Sequence, residues 1–319
     1  MHKFANKEFI IKLTMFFLML QPILDIKLFY DFEIIGVTFP TIIRLGFFGI
    51  LFILFLIDRK KLKFTFFYFI VFIIYSIFHF LNANANYINV SANYSIISEA
   101  IYLIRLAIPV LFILFSYHYK FDFKKITKIF TIIALFFSII IITTNILGIA
   151  YPSYPHAKEI VGNIFKWPFL SKVDYGYYDL ATKGLFGYAN PLSGLLCLIL
   201  PILLYSFYNE FSLKKFITII LTLISMLILG TRISSYISII SLVIMMIVYI
   251  ILCCGFKIKK FNKKNFIYNI LIFLIMIPFI IFSPITFASD RTMSKENIDY
   301  VKNNDLFSVI EKYKNELKG

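Results

Sequence analysis

Apolar runs long enough to form membrane-crossing helices recur along the whole chain. Nine can be drawn, at about 9–29, 40–57, 64–81, 100–117, 127–147, 185–207, 216–229, 236–253 and 266–287. A helix rises about 1.5 Å per residue and a bilayer core is about 30 Å thick, so about 20 apolar residues make one crossing. The pattern predicts an all-α fold: a polytopic integral membrane helical bundle of about nine transmembrane helices. Residues 1–288 make the transmembrane domain, with an external loop at about 148–183. Residues 289–319 make an external tail. In that tail, "DLFSVIEKYKNELKG" sets Leu306, Val309, Ile310, Tyr313 and Leu317 on one helical face. This predicts a C-terminal amphipathic helix, with Asp305 at its start, lying on the membrane surface or on the protein.

The polar joints between runs fix the orientation. "DRKKLK" at 58–63, "HYKFDFKKITK" at 118–128, "LKK" at 213–215 and "KIKKFNKK" at 257–264 are strongly basic, whereas "NANANYINVSANYSIISE" at 82–99 has no Lys or Arg. Cytoplasmic joints collect Lys and Arg. With the N-terminus cytoplasmic, the inner side holds 18 of the 32 cations, and the loop after residue 148 and the tail after 288 are external. The start of the chain is read as a retained first helix, because Gln21, Pro22 and Asp25 follow the first apolar stretch without a small-residue cleavage site.

Composition agrees. The chain of 319 residues is 60% hydrophobic and 15% charged, against about 45–50% and 25% in soluble domains. Its net charge of +15 sits in the joints, and no basic face interleaved with aromatics points to nucleic acid. Three cysteines, Cys197, Cys253 and Cys254, offer neither a disulfide framework nor metal-ligand spacing.

Within this topology the ionisable residues of the spans crowd towards the outer side. Arg44 lies about 6 Å inside the second span and Arg105 about 7 Å inside the fourth, and Asp25, His79 and Glu99 also lie close to outer helix ends. Arg232, in "LGTRISSYISII", has no acidic residue within twenty positions. A guanidinium at bilayer depth costs about 2.5–3.5 kcal/mol on insertion scales. The preceding run, 216–229, is too short to cross, so the turn at Gly230 ends below the outer surface and Arg232 points into an outward-facing recess. Arg44 and Arg105 are candidate neighbours there, or else pair structurally with Asp25 and Glu99. A planar guanidinium donates two parallel hydrogen bonds to a phosphate, so the expected ligand is a diphosphate on a lipid carrier.

"KGLFGYANPLSGLLCLILPIL" at 183–203, then "LGTRISSYISII", preceded by "QPILDI" at 21–26 and Arg44, resembles the O-antigen ligase and polymerase superfamily. Those are bacterial inner-membrane enzymes that handle undecaprenyl-diphosphate-linked glycans. The resemblance spans residue 10 to about 290. It implies a glycosyltransferase-type polymerase or ligase that needs no cofactor and no metal and moves glycan to an acceptor hydroxyl at the outer face. It further implies partners in a lipid-linked oligosaccharide, membrane lipid and other polysaccharide-assembly membrane proteins. Arg232, Arg44, Arg105 and Arg291 are the candidate diphosphate contacts, and Asn190, Tyr188 and Tyr177 the candidate glycan contacts. His156, Asp174, Asp179 and Asp290 are candidate bases. Trp167, Tyr175, Tyr177 and Tyr178 either stack on sugars or anchor the interface. Superfamily members have more helices and a large external loop, whose opening "SDRTMSKENIDY" resembles, so a shortened chain is also expected. A flippase for lipid-linked saccharides and a non-catalytic remnant are the alternatives.

Overall fold

The computed structural model describes residues 7–34, 37–57, 62–87, 99–104, 119–155, 161–170, 177–251, 253 and 263–284. The chain divides into two units, Met1–Ile133 and Ala134–Gly319.

In the first unit, α1 (Lys7–Leu24), the short α2 (Lys27–Tyr30), β1 (Glu33–Ile34), β2 (Val37–Thr38) and α3 (Phe39–Ile57) follow in order. The two strands pair antiparallel, with Glu33 opposite Thr38. The hairpin returns the chain so that α3 packs on α1. The rings of Phe17 and Phe47 stack at 5.3 Å, and Ile10, Phe48, Leu51 and Leu54 form a core with Tyr119. The run predicted at 9–29 is therefore two helices, broken after Leu24. Further along, α4 (Leu62–Tyr87) extends beyond the predicted 64–81, and residues 99–104 are helical.

The second unit takes in most of α5 (Phe123–Leu147), then α6 (Tyr177–Leu180), α7 (Ala189–Asn209), α8 (Leu213–Leu229), α9 (Arg232–Ile250) and α10 (Lys263–Ile281), with α7, α8 and α9 packed on one another. From Thr222 to Leu229 every residue of α8 is buried. A helix enclosed on all sides has no polar stripe to keep wet, and its two hydroxyl residues there, Thr222 and Ser225, donate to the carbonyls of Thr218 and Thr222 of the same helix. It has 17 residues, about 26 Å, still short of a bilayer core. On α9, Ser234, Ser235, Ser238 and Ser241 are buried. Such small residues let two helix backbones approach closely in a membrane protein. Across the α5–α8 contact, the buried hydroxyls of Ser138 and Ser225 lie 3.1 Å apart.

Among the described residues, α5, α7 and α9 are long and apolar enough to cross a membrane, and shorter apolar helices cover Phe39–Leu54, Ile70–Asn82 and Phe266–Ile281. The predicted amphipathic helix of the tail and most of the fourth span lie outside the described residues.

Candidate functional site

The turn between α8 and α9 organises one end of the second unit. Gly230 closes α8 at φ +62°, ψ +13°, the left-handed region where a Cβ is penalised. A Cβ there would also lie 2.5 Å from the Cβ of Ala181. Thr231 then caps α9, accepting from the Ser234 amide at 3.2 Å. Its hydroxyl lies 2.8 Å from those of Ser193 and Ser234. Ser193 donates to the Ala189 carbonyl and Ser234 to the Met226 carbonyl, each at 2.8 Å. The motif "YANPLSG" at the start of α7 is thus joined to "GTRISS" through Ser193 and Thr231. All three hydroxyl residues are 3% exposed or less.

The loop after α5 folds over this turn. Gly148 and Ile149 return their amides to the carbonyls of Asn145 and Thr144 at 3.2 and 3.0 Å, which ends α5 in a Schellman motif. The chain then pairs with itself: Tyr151 donates to the Gly184 carbonyl at 2.8 Å, Ser153 to Ala181 at 2.9 Å, and Lys183 back to Tyr151 at 2.9 Å. Thr182 donates to the Ile228 carbonyl on α8 at 3.0 Å. Asn145, fully buried, grips both sides of the loop. Its Nδ2 donates to Thr182 Oγ1 at 2.9 Å, and its Oδ1 accepts from the Ile164 amide at 2.8 Å. Gly184, at φ +65°, passes so close to α5 that a Cβ would sit 3.2 Å from Ile141 Cα. Beside it, Phe186 packs edge-on to Phe137 at 4.8 Å.

Against this satisfied framework Arg232 stands apart. It is exposed, the first residue of α9, and makes no hydrogen bond or ion pair among the described residues. Lys183, half-buried in the loop, donates from Nζ to the Gly187 carbonyl at 2.8 Å. The Tyr154 hydroxyl reaches the Gly230 carbonyl at 3.4 Å. The helix N-terminus carries partial positive charge, and Arg232 adds a full one. The arrangement suits an anion.

The other expected residues fall as follows. Arg44, on α3, is held in the first unit. Nη2 pairs with Asp25 at 2.5 Å, Nε donates to Gln21 Oε1 at 2.8 Å, and Nη1 to the Tyr30 hydroxyl at 3.1 Å. Of the two roles the sequence left open, the pairing with Asp25 is present, and "QPILDI" supplies both partners. Glu99, weighed as a partner for Arg105, pairs with His79; Arg105 itself lies outside the described residues. Asn190 is exposed at the second position of α7, and Tyr188 just before the helix is 58% exposed. Tyr177 opens α6; Asp179, on the same short helix, is half-buried, and its carbonyl accepts from the Val161 amide at 3.1 Å. Trp167 is 1% exposed and so belongs to the loop's core rather than to a sugar-stacking face. Tyr178 packs edge-on to Tyr154 at 5.2 Å. Arg105, His156, Asp174, Tyr175, Asp290 and Arg291 lie outside the described residues. No cluster of three metal-ligating side chains occurs among the described residues.

Sequence reasoning missed Asn145, Thr182, Ser193, Tyr154 and Lys183. A signal existed for two of them. Asn145 is an amide at the end of an otherwise apolar helix, and Ser193 sits in the quoted α7 motif.

These features, apolar helices around a structured loop, define a helical membrane protein. The family of O-antigen ligase like membrane proteins matches residues 7–305. The chain belongs to that family, which supports a membrane glycosyl-transferring role in the broad sense. No curated protein and no solved structure matches it.

Proposed function

We infer that this chain transfers glycan from an undecaprenyl-diphosphate carrier to an acceptor hydroxyl at the outer face of the membrane, as a polymerase or ligase. The observation that carries the reading is Arg232, exposed and unpaired among the described residues beside a turn whose hydroxyls are otherwise engaged. As the glycosidic bond breaks, charge grows on the leaving diphosphate, and a donor already fixed in place stabilises that change without reorganising. The Gly230 turn, Thr231 and the Asn145-clamped loop fix the start of α9. In this reading Arg232 is the principal diphosphate contact. Arg105 and Arg291 are further contacts, and Arg44 is mainly structural because Asp25 already holds it. Asn190 and Tyr188, exposed at the start of α7, contact glycan. No metal is needed when guanidinium groups carry this charge.

The test is binding of undecaprenyl diphosphate to the purified chain in nanodiscs. Arg232→Ala should weaken it by about tenfold or more, the worth of one charge-assisted hydrogen bond. Unchanged binding with the variant folded contradicts the assignment.

A further inference from the structure

The first unit holds a second cluster that the diphosphate reading does not use. His79, on α4, pairs through Nε2 with Oε1 of Glu99. Its ring lies near-parallel to two tyrosines, at 5.8 Å and 24° from Tyr75 and at 5.9 Å and 29° from Tyr102. The side chains of His79 and Glu99 are 28% and 20% exposed, and the tyrosines 45% and 51%. With Nε2 bound to the carboxylate, His79 presents Nδ1 and Glu99 presents Oε2, and neither atom has a partner among the described residues. Facing hydrocarbon, a carboxylate this accessible is expensive. The end of α4 beyond it, "NANANY", is polar in sequence.

We propose that Tyr75, His79, Glu99 and Tyr102 form a saccharide-binding site. With His79 neutral, Nδ1 and Oε2 are both acceptors, and each receives a hydrogen bond from a sugar hydroxyl, which is a donor. The half-exposed tyrosine rings stacked near His79 offer apolar faces to the sugar's C–H surface. A lipid chain uses neither acceptor, and an anion is repelled by Glu99. A neutral polyhydroxylated ring matches all four groups. The pair also explains why a buried-edge histidine is ordered by a carboxylate, which sets its tautomer. The site rests on the glycan-transfer reading for its biological ligand, and it lies wholly in the first unit.

The experiment uses the full chain in nanodiscs and, as probe, the oligosaccharide released by mild acid from the cell's own lipid-linked glycan. Binding is read by saturation-transfer NMR. His79→Gln keeps a donor for Glu99 but has no ring nitrogen to accept. It should weaken the oligosaccharide roughly tenfold, one hydrogen bond's worth. Tyr102→Leu, which leaves the His79–Glu99 contact intact, should weaken it as well and stands in should His79→Gln misfold. Neither change should alter undecaprenyl diphosphate binding. Wild-type binding that is undetectable, or oligosaccharide affinity unchanged in a folded variant, overturns the proposal. Arg232→Ala separates the two readings, because it should lose the diphosphate and keep the oligosaccharide.

Discussion

The hydroxyls of Ser193 and Thr231 lie 2.8 Å apart, buried, and join the start of α7 to the cap of α9. They are 38 residues apart in the chain, yet they fix one another's helix ends and thereby the backbone that carries Arg232. A lone cation is useful to a reaction only when its scaffold is rigid, and here the scaffold is made of short hydroxyl contacts and one left-handed glycine.

The glycine is the sharpest test of that scaffold. Gly230→Ala adds a left-handed penalty of about 1 kcal/mol and a contact at 2.5 Å with Ala181. Thermal stability in detergent should fall. Ala181→Gly in the same chain should recover part of the loss, because it removes the clash and leaves the backbone strain.

Asn145 should matter more than its position suggests. Asn145→Ala removes the acceptor of the Ile164 amide and the donor to Thr182, at about 1–3 kcal/mol for each buried group left unpaired. The single tryptophan reports the result. Trp167 is buried three residues after Ile164, so its emission should shift to longer wavelength in Asn145→Ala, and the loop should become more sensitive to trypsin. An unshifted spectrum would show that the loop is held by other contacts.

Arg44 and Asp25 should behave as one unit. Either single change strands a partly buried partner, whereas the double change does not. A double-mutant cycle using Asp25→Asn and Arg44→Gln, read by thermal unfolding, should give a coupling of about 0.5–3 kcal/mol, as for contacting residues in one network. Additive effects would mean that Gln21 and Tyr30, rather than Asp25, hold the guanidinium.

The helices were legible because apolar runs and their basic joints are local signals. The Gly230 turn was legible too, since a glycine followed by Thr-Arg after a run too short to span leaves the chain little choice. The break after Leu24 was not. Asp25, at the break, is held by Arg44, a contact that does not show in hydropathy. The folded loop was hidden for the same reason. Asn145 meets Thr182 and Ile164 only in three dimensions, and Trp167, read as a sugar-stacking or interfacial aromatic, is buried three residues after Ile164.

Sidedness can be checked independently of chemistry. With Cys197, Cys253 and Cys254 replaced, Arg232→Cys should react with a membrane-impermeant thiol reagent added outside intact cells. Labelling only after the cells are opened would place the residue on the cytoplasmic side and remove the route for an external lipid diphosphate.

The central claim is that Arg232 meets the leaving diphosphate, and glycan chain length is its most direct measure. In cells carrying the complete locus, Arg232→Ala and Arg232→Lys should each abolish chain extension at unchanged membrane expression, because a lysine cannot give the bidentate fork. Polymer of wild-type length from either folded variant would contradict the account.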